Sequence, residues 1–158
     1  MTRLTHPLPV KATVASHFIE RCATRFSPEE IRQAIAELVA HNQLDMASAL
    51  CAAGLSLYPN SQDILCISAL LAELEQDWSS AQLHLENLLE LQGANTRATV
   101  WHHLIRVVRC QLDIRQSLEK AQQAVSLHPC DRLLQDELHA LLEEATERVL
   151  SPSTDLAQ

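Results

Sequence analysis

Residues 127–131 read LHPCD and close the run SLEKAQQAVSLHP; upstream, ASALCAAGLSLYPN closes in the same way on Leu57, Tyr58 and Pro59. Two alanine-rich apolar segments therefore end on Leu, a ring-bearing residue and Pro. Helices commonly stop just before a proline, whose ring pushes the preceding residue out of helical backbone angles. One such ending is punctuation. Two in a short chain ask whether one structural unit has been written more than once.

Pro59 and Pro129 stand 70 residues apart, which is twice 34 plus 2. A 34-residue frame divides the chain into 28–61, 62–95 and, after a two-residue insertion, 98–131. Small and apolar positions agree with it. Ala47, Ala81 and Ser117 correspond, as do Cys51, Leu85 and Ala121, and again Gly54, Leu88 and Ala124. An apolar residue opens the second half of each unit (Leu44, Trp78, Ile114), preceded by Gln43, Asp77 or Asp113. The two aspartates suit a helix N-cap, where a carboxylate accepts an otherwise unpaired backbone N–H.

Composition points to helices throughout. Leu, Ala, Gln and Glu dominate, glycines number two and aromatics make up 3% of the 158 residues, so strand-forming residue types are scarce. SPEE at 27–30 is a strong helix start: Ser27 as N-cap, Pro28 in the first turn and Glu30 closing a capping box. The periodicity predicts helix pairs near 28–42 and 45–58, 62–75 and 78–92, 98–111 and 114–127. Ala47, Ala81 and Ala121 are expected at close helix contacts, with Trp78 and Trp101 in the core between units. A leading helix is expected within 11–26, and a capping helix over 132–150 carrying Leu133, Leu134, Leu138, Leu141 and Leu142. Residues 1–10 and 151–158 read as tails.

The net charge of −8 removes the counterion-release term that drives phosphate-backbone binding, so nucleic acid is not an expected partner. Pro7, Pro9 and Lys11 interrupt any signal-peptide core, and the longest apolar-leaning stretch, near 46–58, is too short to span a bilayer. A cytoplasmic protein without membrane insertion is expected. Five cysteines, an odd number without C-x-x-C spacing, suit a reducing compartment.

Chemistry is hard to find. His102 and His103 are adjacent and point about 100° apart on a helix, so they do not share an ion as an i, i+4 pair does. His128 and Cys130 flank a proline without a second ligand pair. No nucleophile motif appears, and two glycines cannot build a phosphate loop. The expectation is a protein that is not an enzyme and holds no metal or cofactor.

The 34-residue register, with Trp101 and Leu104 at the Trp and Leu positions of the pattern W-x2-L-G-x2-Y, resembles the tetratricopeptide repeat (TPR) family over roughly 28–131. Departures are visible: Ile35, Ala69 and Ile105 replace the first-helix Gly, Asn42, Gln76 and Leu112 replace the turn Gly, and Gly93 stands where Pro is usual. The resemblance implies an all-α helix–turn–helix solenoid of about three repeats with flanking helices. It implies a concave surface lined by the first helix of each pair, and thus a protein-binding function. Transferred position by position, that surface takes Arg32, Ala36, Val39 and Ala40 from the first repeat. Cys66, Leu70, Glu73 and Leu74 come from the second, and His102, Arg106, Arg109 and Cys110 from the third. The Lys and Asn that clamp a peptide carboxylate in chaperone-tail binders are missing. The implied partner is a protein client with a hydrophobic or amphipathic segment, Arg106 and Arg109 being free to meet an acidic flank.

In layout the chain is also similar to the small TPR chaperones (class II type) of bacterial type III secretion. The alternative is a stable adaptor subunit of a larger bacterial assembly for secretion, pilus formation or polysaccharide export. The leading helix, with Val14, Phe18 and Ile19, is a candidate for homodimer formation.

Overall fold

A computed structural model describes residues 26–150. The expected leading helix, apart from Phe26, and both expected tails lie outside these residues. Among the described residues the backbone forms seven α-helices, one short 3-10 turn and no strand. They are α1 Pro28–Ala40, α2 Leu44–Leu57, α3 Gln62–Leu74, α4 Trp78–Gln92, α5 Ala98–Cys110, α6 Ile114–Leu127 and α7 Arg132–Leu150. The three helix pairs and the capping helix expected from periodicity are present. Helices α1, α2, α3 and α5 end one or two residues early because the turn residues leave helical geometry, α2 begins one residue early at Leu44, and the other ends coincide.

The capping signals act as their chemistry dictates. Ser27 Oγ accepts from the Glu30 N–H at 3.3 Å while Glu30 Oε2 accepts from the Ser27 N–H at 2.8 Å, completing the capping box. The Ser27 N–H and hydroxyl, both donating to Glu30 Oε2, hold the Glu30 carboxyl below the usual range. Asp77 accepts from the Ser80 N–H at 3.1 Å and Asp113 from the Gln116 N–H at 2.9 Å. Gln43, in the equivalent place, makes no side-chain cap.

The two proline endings are one structure used twice. The Ser61 N–H donates to the Tyr58 carbonyl and the Asp131 N–H to the His128 carbonyl, both at 3.1 Å. Each is a four-residue turn with proline second, the position its fixed φ favours. The carbonyls of Ser61 and Asp131 then accept from Leu65 and Gln135, opening α3 and α7.

The chain divides into two compact units between Leu71 and Ala72. In the first, α1 packs on α2. Its core holds Ile31, Ile35, Ala47, Cys51, Ile64 and Leu71, with Val39 and Tyr58 partly buried against it. A Cβ on Gly54 would lie 3.3 Å from the Ile31 and Ile64 side chains, which would have to shift by a few tenths of an ångström to accept it. Cys51 Sγ lies 2.9 Å from Ser68 Oγ, and that hydroxyl donates its only proton to the Ile64 carbonyl at 2.6 Å. The Cys51 thiol is therefore the donor to Ser68.

In the second unit α5 is sandwiched: α4 and α6 both pack on it, and α7 packs on α6. Burial of Leu104, Ile105, Val107 and Val108 follows, since this helix meets neighbours on more than one side. Ala81, Ser117, Ala121 and Ala124 are fully buried. Ser117 satisfies its hydroxyl by donating to the Asp113 carbonyl at 2.7 Å, which makes a polar residue tolerable where Ala47 and Ala81 stand in the other repeats. Trp101 is buried, whereas Trp78, expected beside it in the core, is only partly so. Trp78 is the first residue of α4, and a helix end leaves one side of its side chain open to water. On α7, Leu134 and Leu141 are buried but Leu133 and Leu142 are exposed.

Candidate protein-binding surface

Within the first unit, Arg32 of α1 pairs with Asp63 of α3 through Nε–Oδ1 at 3.2 Å. Ala36 is exposed one turn further along, and Val39 turns inward against the core instead of outward. The four-residue spacing of Cys66, Leu70 and Leu74 puts them on one stripe of α3. All three are exposed, Leu70 at 38% and Leu74 at 59%. Apolar side chains left in water along consecutive turns of a helix make that face a candidate for contact with another protein segment. These positions are the ones expected to form the apolar middle of the partner-binding surface.

In the second unit the charged residues assigned to the surface already have intramolecular partners. Glu73, whose side chain is 9% exposed, accepts from His103 Nδ1 at 3.2 Å and forms an ion pair with Arg106. On the next turns of α5, His102 Nδ1 lies 3.1 Å from Glu137 Oε2 and Arg109 Nη2 lies 3.5 Å from Glu144 Oε2. Sequence reading singled out Arg106 and Arg109 as cations for an incoming acidic flank. Glu73, Glu137 and Glu144 instead face them from within the chain. These pairings carry a recognisable signal in the sequence. Glu73–Arg106 is separated by 33 residues and His102–Glu137 by 35, close to one repeat length. Gln82 and Gln116, separated by 34, also touch, with 3.4 Å between the amide nitrogen and oxygen.

Cys66, Cys110 and Cys130 are exposed thiols. Among the described residues no group of three His, Cys, Asp or Glu side chains is placed to hold a metal ion. None of the described helices is long and apolar enough to cross a membrane. A surface depression of about 330 Å³ lies over the α1–α2 turn, lined by Asn42, Gln43, Leu44, Asp45 and Met46. Asp45 is its only ionisable lining residue.

Solved structures decide the fold. A protein described as the first TPR of Spaghetti (RPAP3) bound to the HSP90 peptide SRMEEVD superposes with a TM-score of 0.63 over 75% of this chain and 93% of that one, at 9% identity. The fold is that of the tetratricopeptide repeat. A second TPR-fold structure, the MamA RS-1 ArsTM double mutant, superposes with a TM-score of 0.63 over 90% of this chain and 89% of its own, at 18% identity. No protein-family model and no curated protein sequence matches the chain.

Proposed function

We propose that this TPR chain is a non-catalytic protein-binding module whose partner segment lies against the exposed stripe Cys66, Leu70 and Leu74 of α3. The exposure of the two leucines one turn apart carries this reading. The part of each leucine still in water gains about 25 cal/mol per Å² of apolar area when covered. The TPR neighbour that holds a peptide supports a protein partner for the same fold. Its peptide SRMEEVD is acidic, and here Arg106 is committed to Glu73, so an aliphatic anchor suits this chain better than an acidic tail.

The fuller reading is a cytoplasmic chaperone that holds the hydrophobic segment of a client of a bacterial secretion system until export. Its support is the layout resemblance described above. Co-expression with the products of neighbouring genes, followed by purification on a tag, tests it. A client that is bound in the cytoplasm and released on export is expected. Permanent stoichiometric association with a folded assembly component would establish an adaptor subunit instead.

A further inference from the structure

Two helix-joining turns of the second unit lie side by side. The Gln111 amide nitrogen donates to the Trp78 carbonyl at 3.4 Å and to Gln82 Oε1 at 2.7 Å, so the α5–α6 turn rests against the first turn of α4. Leu112, next in the chain, therefore stands at the same edge as Trp78. Leu74, the last residue of α3, precedes Trp78 by four residues. Leu74 is 59% exposed and Leu112 76%, and Trp78 is only partly buried. One edge of the second unit thus holds two leucines and an indole in contact with water. Large apolar groups gathered in this way, with Trp among them, are what the centres of protein interfaces are made of.

Leu112 is the most informative of the three. Its φ of 62° is one that a residue with Cβ adopts at a cost, and Gly or Asn would serve the turn better. In the free chain the side chain recovers little, because it lies in water. A segment that covered it would supply what the turn does not.

The charges at the edge say what kind of segment that is. Asp77 and Asp113 are both exposed, and they cap α4 and α6 by accepting from Ser80 at 3.1 Å and Gln116 at 2.9 Å. A carboxylate has further lone pairs beyond such a bond. The bonds from Ser80 hold the Asp77 carboxyl below the usual range, so it is ionised at neutral pH. Arg109, in the last turn of α5, faces Glu137 and Glu144 of α7. Arg115, in the first turn of α6, is the cation set against Asp77, Asp113 and the exposed Glu75. The apolar edge therefore has a rim in which carboxylates outnumber cations.

We propose that Leu74, Trp78 and Leu112 form an anchoring edge for a protein segment whose aliphatic residues are followed by Lys or Arg, the cation meeting Asp77 and Asp113. The inference rests on the reading of α3 given above, since Leu74 ends that stripe, and it extends the partner segment past the end of α3 onto the two turns.

A random peptide library displayed on phage and selected against the full chain supplies the probe. Selected peptides should carry aliphatic residues with Lys or Arg at one end. Leu112→Asn should weaken such a peptide about tenfold while the melting temperature rises. Asp77→Asn/Asp113→Asn keeps residues that can cap a helix, and should weaken the peptide several-fold at low salt and less at high salt. Acrylamide should quench the fluorescence of Trp78 less once the peptide is bound, Trp101 being buried throughout. No selected peptide weakened by Leu112→Asn, even where Leu70→Asp/Leu74→Asp abolishes binding, would overturn this inference and leave the α3 surface standing. Peptides whose basic end can be exchanged for Glu without loss would overturn it as well. Sedimentation showing that Leu112 serves only self-association would assign the edge to a second copy, with the same consequence.

Discussion

Among the described residues, three non-glycine residues hold the left-handed backbone conformation: Asn42, Gln76 and Leu112, with φ of 56°, 60° and 62°. They are the three positions at which the turn glycine of the resembled pattern is replaced. The geometry has been kept although the residue suited to it has not. A side chain with Cβ in this conformation costs about 1–2 kcal/mol, less for Asn, whose short polar side chain tolerates it. Leu112 has little to offset that cost, since it is 76% exposed. Leu112→Asn is expected to stabilise the protein by about 0.5–1 kcal/mol, raising the melting temperature, while Leu112→Ala, which keeps Cβ, gains nothing comparable. A lower melting temperature for the Asn variant would contradict this account of the turn. The opposite extreme is Ala81, with 0% exposure. Ala81→Arg forces an unpaired charge among packed helices and should cost at least ~2 kcal/mol by denaturant unfolding.

Single elements are joined by a compact device. At the end of α1 the Gln43 N–H reaches the Leu38 carbonyl at 2.9 Å and the Asn42 N–H reaches Val39 at 2.9 Å. At the end of α3 the Asp77 N–H reaches Ala72 at 2.9 Å and the Gln76 N–H reaches Glu73 at 3.1 Å. This paired closure satisfies carbonyls that the helix end leaves open. In the second case the residue that closes one helix also caps the next, because Asp77 then accepts from Ser80. Removing the carboxylate should therefore loosen a hairpin rather than one helix. Asp77→Ala and Asp113→Ala are each expected to lower the melting temperature by removing a helix N-cap. The Asp77 carboxyl is held low by its Ser80 hydrogen bonds, and Asp131 by its bond from Leu134. A lowered carboxyl stabilises when ionised, so this contribution is present at neutral pH and lost as pH falls through the lowered value. Thermal unfolding should show a fall in stability on acidification that is smaller in Asp77→Ala. Parallel acid profiles for parent and variant would contradict it.

Across the whole molecule, helix positions and the buried small residues were legible in the sequence because they obey local rules. Ala47, Ala81 and Ser117 share one place in the frame, and each has 0% exposure. Gly93 was visible as a departure, and its φ of 54° explains it, since the fixed ring of proline could not adopt that angle. The charge arrangement was not legible. Arg106 and Arg109 read as free cations because their partners lie a repeat away, and pairing at that distance depends on how helices stack. Val39 likewise read as a surface residue until packing against the first core showed its orientation. The apolar stripe of α3 was foreseeable, because spacing by four fixes a common face whatever the neighbours do.

Once a partner is in hand, its affinity for the parent and for Leu70→Asp/Leu74→Asp tests the central claim most directly, with circular dichroism on both proteins. Both leucines are exposed, so the double change should leave helical content and melting behaviour close to the parent's. Covering each should supply about 1–2 kcal/mol of binding, so their replacement by carboxylates should weaken association by at least about a hundredfold. Arg106→Glu should weaken it less, because that side chain already serves Glu73. Undiminished affinity in a correctly folded Leu70→Asp/Leu74→Asp protein would contradict the assignment of α3 as the binding surface.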